Sequence, residues 1–295
     1  MPSIAENLDL WNGRYNWTDK GDEWSEQFGG TEALWWFVLY PRIHCFLPAG
    51  RILEIAPGYG RWTQFLKAHC RSLVAVDLSR KCVEYCRQRF SADRHVEFHV
   101  NDGRSLSLVS DDSIDFAFSF DSLVHAEEDV LEGYLKQLSK KLKPGGSGFI
   151  HHSNMGAYRT RLSFLEYYGR LPSFVRRRLL PLNRVEDVLS INIAGWRATS
   201  MTAALFRKHC ESAGLRCISQ ELFSWIKGKC LIDAISVIAR DDFSAHKNAT
   251  CLENSEFIKN ARTTSRLSQL YCRARLSGAR AEGDTNLADH TPERV

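Results

Sequence analysis

Thirteen residues constrain this chain more than any others. Arg51-Ile-Leu-Glu-Ile-Ala-Pro-Gly-Tyr-Gly-Arg-Trp-Thr63 runs an apolar strand straight into a glycine turn that opens a helix. The next apolar strand, Leu73-Val-Ala-Val-Asp77, closes on a lone acid. Strand, Gly-x-Gly, helix, strand, acid is the order in which a parallel α/β sheet holds an adenosine-bearing cofactor. The glycines let the backbone come close, and the carboxylate accepts hydrogen bonds from ribose hydroxyls.

Nicotinamide sites and methyl-donor sites share this opening. A dinucleotide fingerprint uses a third glycine to pack helix on strand beneath a pyrophosphate, but here Thr63 holds that position. The strand also carries an acid, Glu54, four residues before Gly58. S-adenosylmethionine has no phosphate; its ammonium and sulfonium groups suit an acid at a strand end.

Further segments extend the pattern. Val96-Glu-Phe-His-Val100 reads as a third strand ending in Asn101-Asp-Gly103, where the Asp102 carboxylate could receive the exocyclic amine of adenine. Ser113–Phe120 reads as a fourth strand, followed by Asp121-Ser-Leu-Val-His125. A helix is predicted over Glu128–Lys141, stopped at Leu142-Lys-Pro-Gly-Gly146, with a fifth strand beginning at Phe149-Ile-His-His152. Over residues 50–153, and more weakly to about 240, the order and spacing resemble the class I S-adenosylmethionine-dependent methyltransferases.

That resemblance implies a fold and a set of roles. The expected architecture is α/β: a doubly wound, mostly parallel seven-stranded sheet with an antiparallel last strand, an N-terminal helical cap and an insertion after strand five. S-adenosylmethionine is the implied cofactor. Glu54, Gly58 and Gly60 match the first motif, acid-x-Gly-x-Gly-x-Gly, which contacts the methionine end of the cofactor. Asp77 matches the ribose-binding acid and Asp102 the acid near adenine; Phe120 and Asp121 fall where the family places substrate beside the transferable methyl. The chain departs from the pattern at Ala56, where many members have glycine.

Composition agrees with an α/β domain carrying additions: 295 residues, 44% hydrophobic and 25% charged, are enough for a sizeable core. The first residues show no basic region or apolar stretch, and no run approaches the length of a membrane span, so a cytoplasmic protein is expected. Nine cysteines lack paired spacing; Cys82 and Cys86 read as part of a packed helix face rather than half a zinc site, and no metal is expected.

Three segments frame the domain at 49–240. Residues 1–48 form an aromatic cap with Trp11, Trp17, Trp24, Trp35 and Trp36; most of its rings are expected to pack on the sheet, with Trp11, Tyr15 and Trp24 the candidates to wall an acceptor cavity. Residues 154–199 form a basic insertion: between Ala157 and Arg184 stand seven arginines against one acid, Glu166. That segment reads either as a solvated helix face or as a lid that attracts an anionic acceptor. Nucleic acid is disfavoured, because the rest of the chain is not basic enough. Thr199 and Ser200 are read as capping a helix through Ala213, stopped by Gly214. Two closing strands, Leu215–Glu221 and Ile232–Ala239, read as a hairpin, and residues 241–295 as a polar, largely disordered tail.

Methyl transfer from a sulfonium is an in-line displacement in which positioning supplies much of the rate. An oxygen acceptor also needs its proton removed, a task suited to histidine. His125, then His152, are the candidate bases at the sheet's carboxyl edge, His151 being the alternation partner of His152; Asp121 would orient base or acceptor. The expected acceptor is a small polar or anionic molecule such as a sugar or glycan precursor, methylated on oxygen. N- or C-methylation of a small metabolite is the alternative within the fold, and a catalytically silent partner protein is the alternative outside it. A nicotinamide-dependent reductase is opposed by Thr63 and by the lack of a Tyr-x-x-x-Lys pair.

Overall fold

The computed structural model describes residues 3–191, 196–225, 229–240, 249–268 and 270. Among them one sheet of eight strands organises the chain in the order β3-β2-β1-β4-β5-β7-β6-β8. The strands are β1 (Ala49–Ile55), β2 (Cys70–Asp77), β3 (Val96–Val100), β4 (Ile114–Ser119), β5 (Leu142–Ser153), β6 (Arg216–Phe223), β7 (Asp233–Ala239) and β8 (Thr250–Asn254). The first five run parallel; β7 lies antiparallel between β5 and β6. Strand order reverses between β1 and β4, so their carboxyl ends diverge and leave a crevice for a ligand.

Period-two alternation distributes the core. Ile52, Leu73, Ala75, Phe116 and Phe118 face one layer, with the Arg80–Arg89 helix and the N-terminal cap. Leu53, Val74, Val76 and Ala117 face the other, under the helices Glu128–Lys141 and Ala203–Ser212. The first helix has Val130, Leu131, Leu135 and Leu138 buried, the spacing of an apolar stripe on a 3.6-residue period.

Several expectations are refined. Strand β5 begins at Leu142, inside the segment read as a helix stop, because Ile114 pairs with Leu142 and Phe116 with Ser147, leaving a bulge that absorbs the Pro-Gly-Gly run. Thr202, not Thr199 or Ser200, caps the Ala203–Ser212 helix, its side chain accepting from the Leu205 amide. The Ser200 hydroxyl instead accepts the Glu128 amide at 2.8 Å, at the start of the Glu128–Lys141 helix. Beyond Arg240, β8 adds to the outer edge of β6 in parallel, making eight strands where seven were expected. A helix over 257–268 follows, burying Phe257 against Phe223. The remainder of the expected tail, 241–248, 269 and 271–295, lies outside the described residues, as do 192–195 of the insertion.

The insertion builds a small core of its own from Met155, Leu162, Leu165, Tyr168, Val185 and Ile191, closed by Cys230 and Ile232. Its return leg is fastened to the sheet's carboxyl edge: Ala198 donates to the Val124 carbonyl at 2.9 Å and accepts from the Ser153 hydroxyl at 2.6 Å. Cys82 and Cys86 are both buried in packed surroundings, as expected of a helix face.

Candidate functional site

A cleft opens at the crevice between β1 and β4. Its floor is the turn Ala56–Tyr59, with Asp77 on one side and Phe120–Leu123 on the other. The first turn residue explains a departure from the family pattern. Ala56 has φ of 59°, the left-handed region that costs a residue with a Cβ and favours glycine. The strain is held by the Ala56 amide, which donates to the Val76 carbonyl at 2.8 Å, and by its carbonyl, which accepts from Ser122 Oγ at 2.9 Å.

Asp77 lies in the cleft wall, buried at 7% exposure. Its Oδ2 accepts the Gly58 amide at 3.0 Å and its Oδ1 the Ser79 amide at 2.7 Å. Burial pushes its pKa up to about 6, with those amides pulling it back. Gly58 lines the cleft, and a Cβ there would stand 3.0 Å from Trp17 Cη2, so the cap closes directly over the turn. Gly60 serves packing instead. It has φ of 81°, and a Cβ would fall 2.5 Å from Phe90 Cε2.

Glu54 stands beneath the turn rather than in the cleft wall. It is 1% exposed, with Oε2 accepting the Thr63 hydroxyl at 2.6 Å and Oε1 lacking a hydrogen-bond partner. Burial raises its pKa to about 8, so near neutral pH it is largely protonated. Thr63, at the position of a dinucleotide motif's third glycine, therefore answers an acid that such a motif lacks.

Asp102 does not reach the cleft. Its Oδ1 turns away to accept the amides of Arg104 and Ser105 at 2.8 and 2.6 Å, while its neighbours Asn101 and Gly103 line the wall. An aspartate satisfied by its own loop is held outward, which corrects its expected place beside adenine.

On the far wall Phe120 is buried and Asp121 follows with φ of 61°. The Asp121 carboxylate is already paired: Arg61 Nη2 donates to Oδ2 at 2.7 Å, with both side chains at least nine-tenths buried. Arg61 also donates to the Gly21 carbonyl and sits over the rings of Trp24 and Trp62 at 5.2 and 4.6 Å. Sequence reading missed Arg61, since an arginine after a glycine turn carries no signal of its own.

The three histidines separate sharply. His125 lines the cleft, and its Nδ1 lies 2.5 Å from the Trp196 carbonyl, which can only accept, so the proton sits on Nδ1 and the lone pair on Nε2. Burial and then the nearby Arg197 push its pKa down to about 4, against the pull of that carbonyl, so it is neutral at physiological pH. His152 is wholly buried: Nδ1 meets the Ser153 carbonyl and Nε2 the Ser236 hydroxyl, each at 2.8 Å, while the ring stacks on Phe206 at 4.0 Å. With both nitrogens engaged away from the cleft, His152 cannot serve as its base. Its alternation partner His151 points the other way, accepting the Asp121 amide at 3.1 Å and lying 3.5 Å from Asp233, which Arg197 grips at 2.6 Å.

The cap supplies the remaining wall. Trp11, Trp17 and Trp24 line it, whereas Tyr15 packs behind them and donates to Glu23. Trp17 stacks on Tyr59 at 4.5 Å, and Trp11 lies 5.4 Å from His125. Asn7 ties this wall to the loop after β4 by donating to the His125 carbonyl at 3.2 Å. An acid at a strand end, a left-handed turn and a largely apolar slot suit an adenosine group: Asp77 for its ribose diol, and the Ile4, Leu78, Leu123 and Val130 side chains for a flat base.

Residues 52–146 match the family model described as a methyltransferase domain. Over 119 residues the chain is 29% identical to phosphoethanolamine N-methyltransferase 1 of Triticum aestivum, and 31% to demethylmenaquinone methyltransferase of Clavibacter sepedonicus. These alignments cover 38% and 40% of this chain, and 24% and 46% of the relatives, so the chain spans less than half the length of either. Among solved structures, a S-adenosylmethionine-dependent methyltransferase of Methanosarcina mazei superposes with TM-score 0.50 at 17% identity, covering 69% of this chain and 98% of that one. A chain from a complex of the Haloferax volcanii Trm112 methyltransferase activator with a methyltransferase gives TM-score 0.50 at 17% identity, covering 83% and 100%. Both share the fold.

Proposed function

Because this chain carries a class I S-adenosylmethionine-dependent methyltransferase domain, we propose that it methylates an oxygen of a small polar or anionic acceptor, with His125 as the proton acceptor. Bound at the cleft, the cofactor would supply an electrophilic methyl on a sulfonium. The chain's own residues hold and exclude: Asp77 and the Ala56–Tyr59 turn hold the adenosine side, and Trp11, Trp17 and Trp24 shield the cleft from water. The observation that carries the oxygen acceptor is the His125 tautomer. A neutral ring with Nδ1 committed to Trp196 offers Nε2 as an acceptor in the same cleft. Asp121, locked to Arg61, is better suited to shaping the acceptor side than to taking a proton.

The tryptophan wall favours a second reading, an amine acceptor whose cation rests on aromatic faces. The wheat relative's name describes an N-methyltransferase and gives that reading a precedent.

Calorimetric titration with S-adenosylmethionine and S-adenosylhomocysteine, with Asp77→Ala as control, tests the cofactor. Micromolar binding lost in the variant supports it; a folded protein that binds neither ligand refutes it and leaves the silent-partner alternative. Acceptors are then screened with anionic sugars first and small amines second.

A further inference from the structure

The insertion presents a surface that the cleft does not use. Phe174 and Val188 each expose 71% of their surface, and Phe164, Tyr167, Leu179 and Leu180 expose half or more. Half of the large apolar side chains exposed among the described residues thus fall within twenty-five consecutive positions. Phe164, Tyr167, Phe174 and Val188 stand on the helices Arg159–Arg170, Ser173–Arg178 and Leu182–Leu189, and Leu179 and Leu180 on the link between the last two; the first and last of these helices bury Leu162, Leu165, Tyr168 and Val185 in the insertion's core. The first and last helices are therefore apolar on both sides, and the core covers one side of each.

Charge identifies what suits the other. Arg170, Arg177, Arg178 and Arg184 are exposed among these apolar groups, and the only acid between 157 and 184 is Glu166. Glu186 and Asp187 follow without cancelling the excess. We infer that this face of the insertion docks on an anionic lipid bilayer, its apolar side chains entering the headgroup boundary and its arginines meeting lipid phosphates. Long aliphatic and aromatic groups flanked by arginine are what an interfacial helix needs. A nucleic-acid surface would have no use for Leu179, Leu180 and Val188. No helix among the described residues is long and apolar enough to cross a membrane, so the contact is with the surface. The return leg of the insertion, through Trp196 and Ala198, meets the loop at Val124 and His125, so a docked insertion holds the cleft's acceptor side close to the lipid.

Sedimentation of the full chain with phosphatidylcholine vesicles, with and without phosphatidylglycerol, tests this. Binding is expected only with the anionic lipid, weakening as salt rises. Arg177→Gln with Arg178→Gln should weaken it about 25-fold, at about fivefold per arginine. Phe174→Ser should weaken it about tenfold. These side chains are exposed, so thermal unfolding of the variants should match the parent. Absence of vesicle binding overturns the proposal, as does equal binding to neutral vesicles that is indifferent to the arginines. A dimer in solution that Phe174→Ser dissociates, without vesicle binding, also overturns it and gives the face to a second copy.

Discussion

Asp77 Oδ2 accepts the amide of Gly58 at 3.0 Å, so the acid that ends the second strand also fixes the turn that ends the first. One carboxylate thus has two tasks, shaping the turn and presenting charge to the cleft. Asp77→Asn keeps the shape and removes the charge. A hydrogen bond to a charged group contributes about 1.5–3 kcal/mol, so titration of the variant should show S-adenosylmethionine binding weakened roughly ten- to hundredfold.

Glu54 predicts an unusual pH dependence. Its folded pKa, raised to about 8 from 4.5, means that the folded state holds a proton the unfolded state has lost. The stability Glu54 contributes is full below about pH 4.5 and is lost as pH rises towards 8, at up to about 1.4 kcal/mol per pH unit. Urea unfolding of the cofactor-free protein should show that decline between pH 5 and 8. Glu54→Gln should flatten it; an unchanged slope in the variant would assign the decline elsewhere.

His125 and His152 should separate by experiment as they do in space. Replacing a general base typically costs 10²–10⁴-fold in rate, so His125→Gln should lower turnover by about that factor with cofactor affinity nearly unchanged. His152→Gln should lower the unfolding midpoint and leave cofactor affinity intact, because the ring packs on Phe206 away from the cleft. Turnover unaffected by His125→Gln would remove its assignment.

Arg61 and Asp121 form a buried pair, and removing one partner strands the other. Such losses cost about 3–5 kcal/mol. Asp121→Ala should therefore destabilise the protein strongly in denaturant titration, and Arg61→Met combined with Asp121→Leu should recover much of the loss.

Gly60→Ala tests the turn without touching a charge. The new methyl would meet Phe90 at 2.5 Å in a left-handed backbone, so a loss of several kcal/mol is expected by the usual cost of overpacking and strain. Gly60→Ala with Phe90→Leu should relieve part of it in the same thermal melt.

The parallel strands were legible because each alternates apolar side chains between two layers, and the glycine turn because its residues punctuate a strand. The same alternation made the fifth-strand histidines ambiguous: adjacent residues face opposite layers, and nothing in Phe149-Ile-His-His152 says which layer adjoins the cleft. Asp102 and Asn101 posed a similar problem, since a loop chooses which side chain it consumes in its own hydrogen bonds. Strand β8 was invisible because Thr250-Cys-Leu-Glu-Asn254 is held by backbone pairing while its side chains face water. The cleft's dependence on Trp17 and Arg61 arises from contacts across long sequence distances, which local pattern does not encode.

The 257–268 helix has a consequence for the order in which the molecule is completed. Arg262 donates to the Gln27 carbonyl at 2.7 Å, and Phe28 packs against both Trp225 and Phe257. The aromatic cap leaves the ribosome before the sheet, yet part of what braces it is synthesised more than two hundred residues later. A nascent chain can assemble the central strands while Gln27 and Phe28 still lack that brace. The segment that follows the wall, at Gln27 and Phe28, is therefore secured late in biosynthesis, and a chain stalled before Arg262 would hold the cofactor turn while that segment lacked its support.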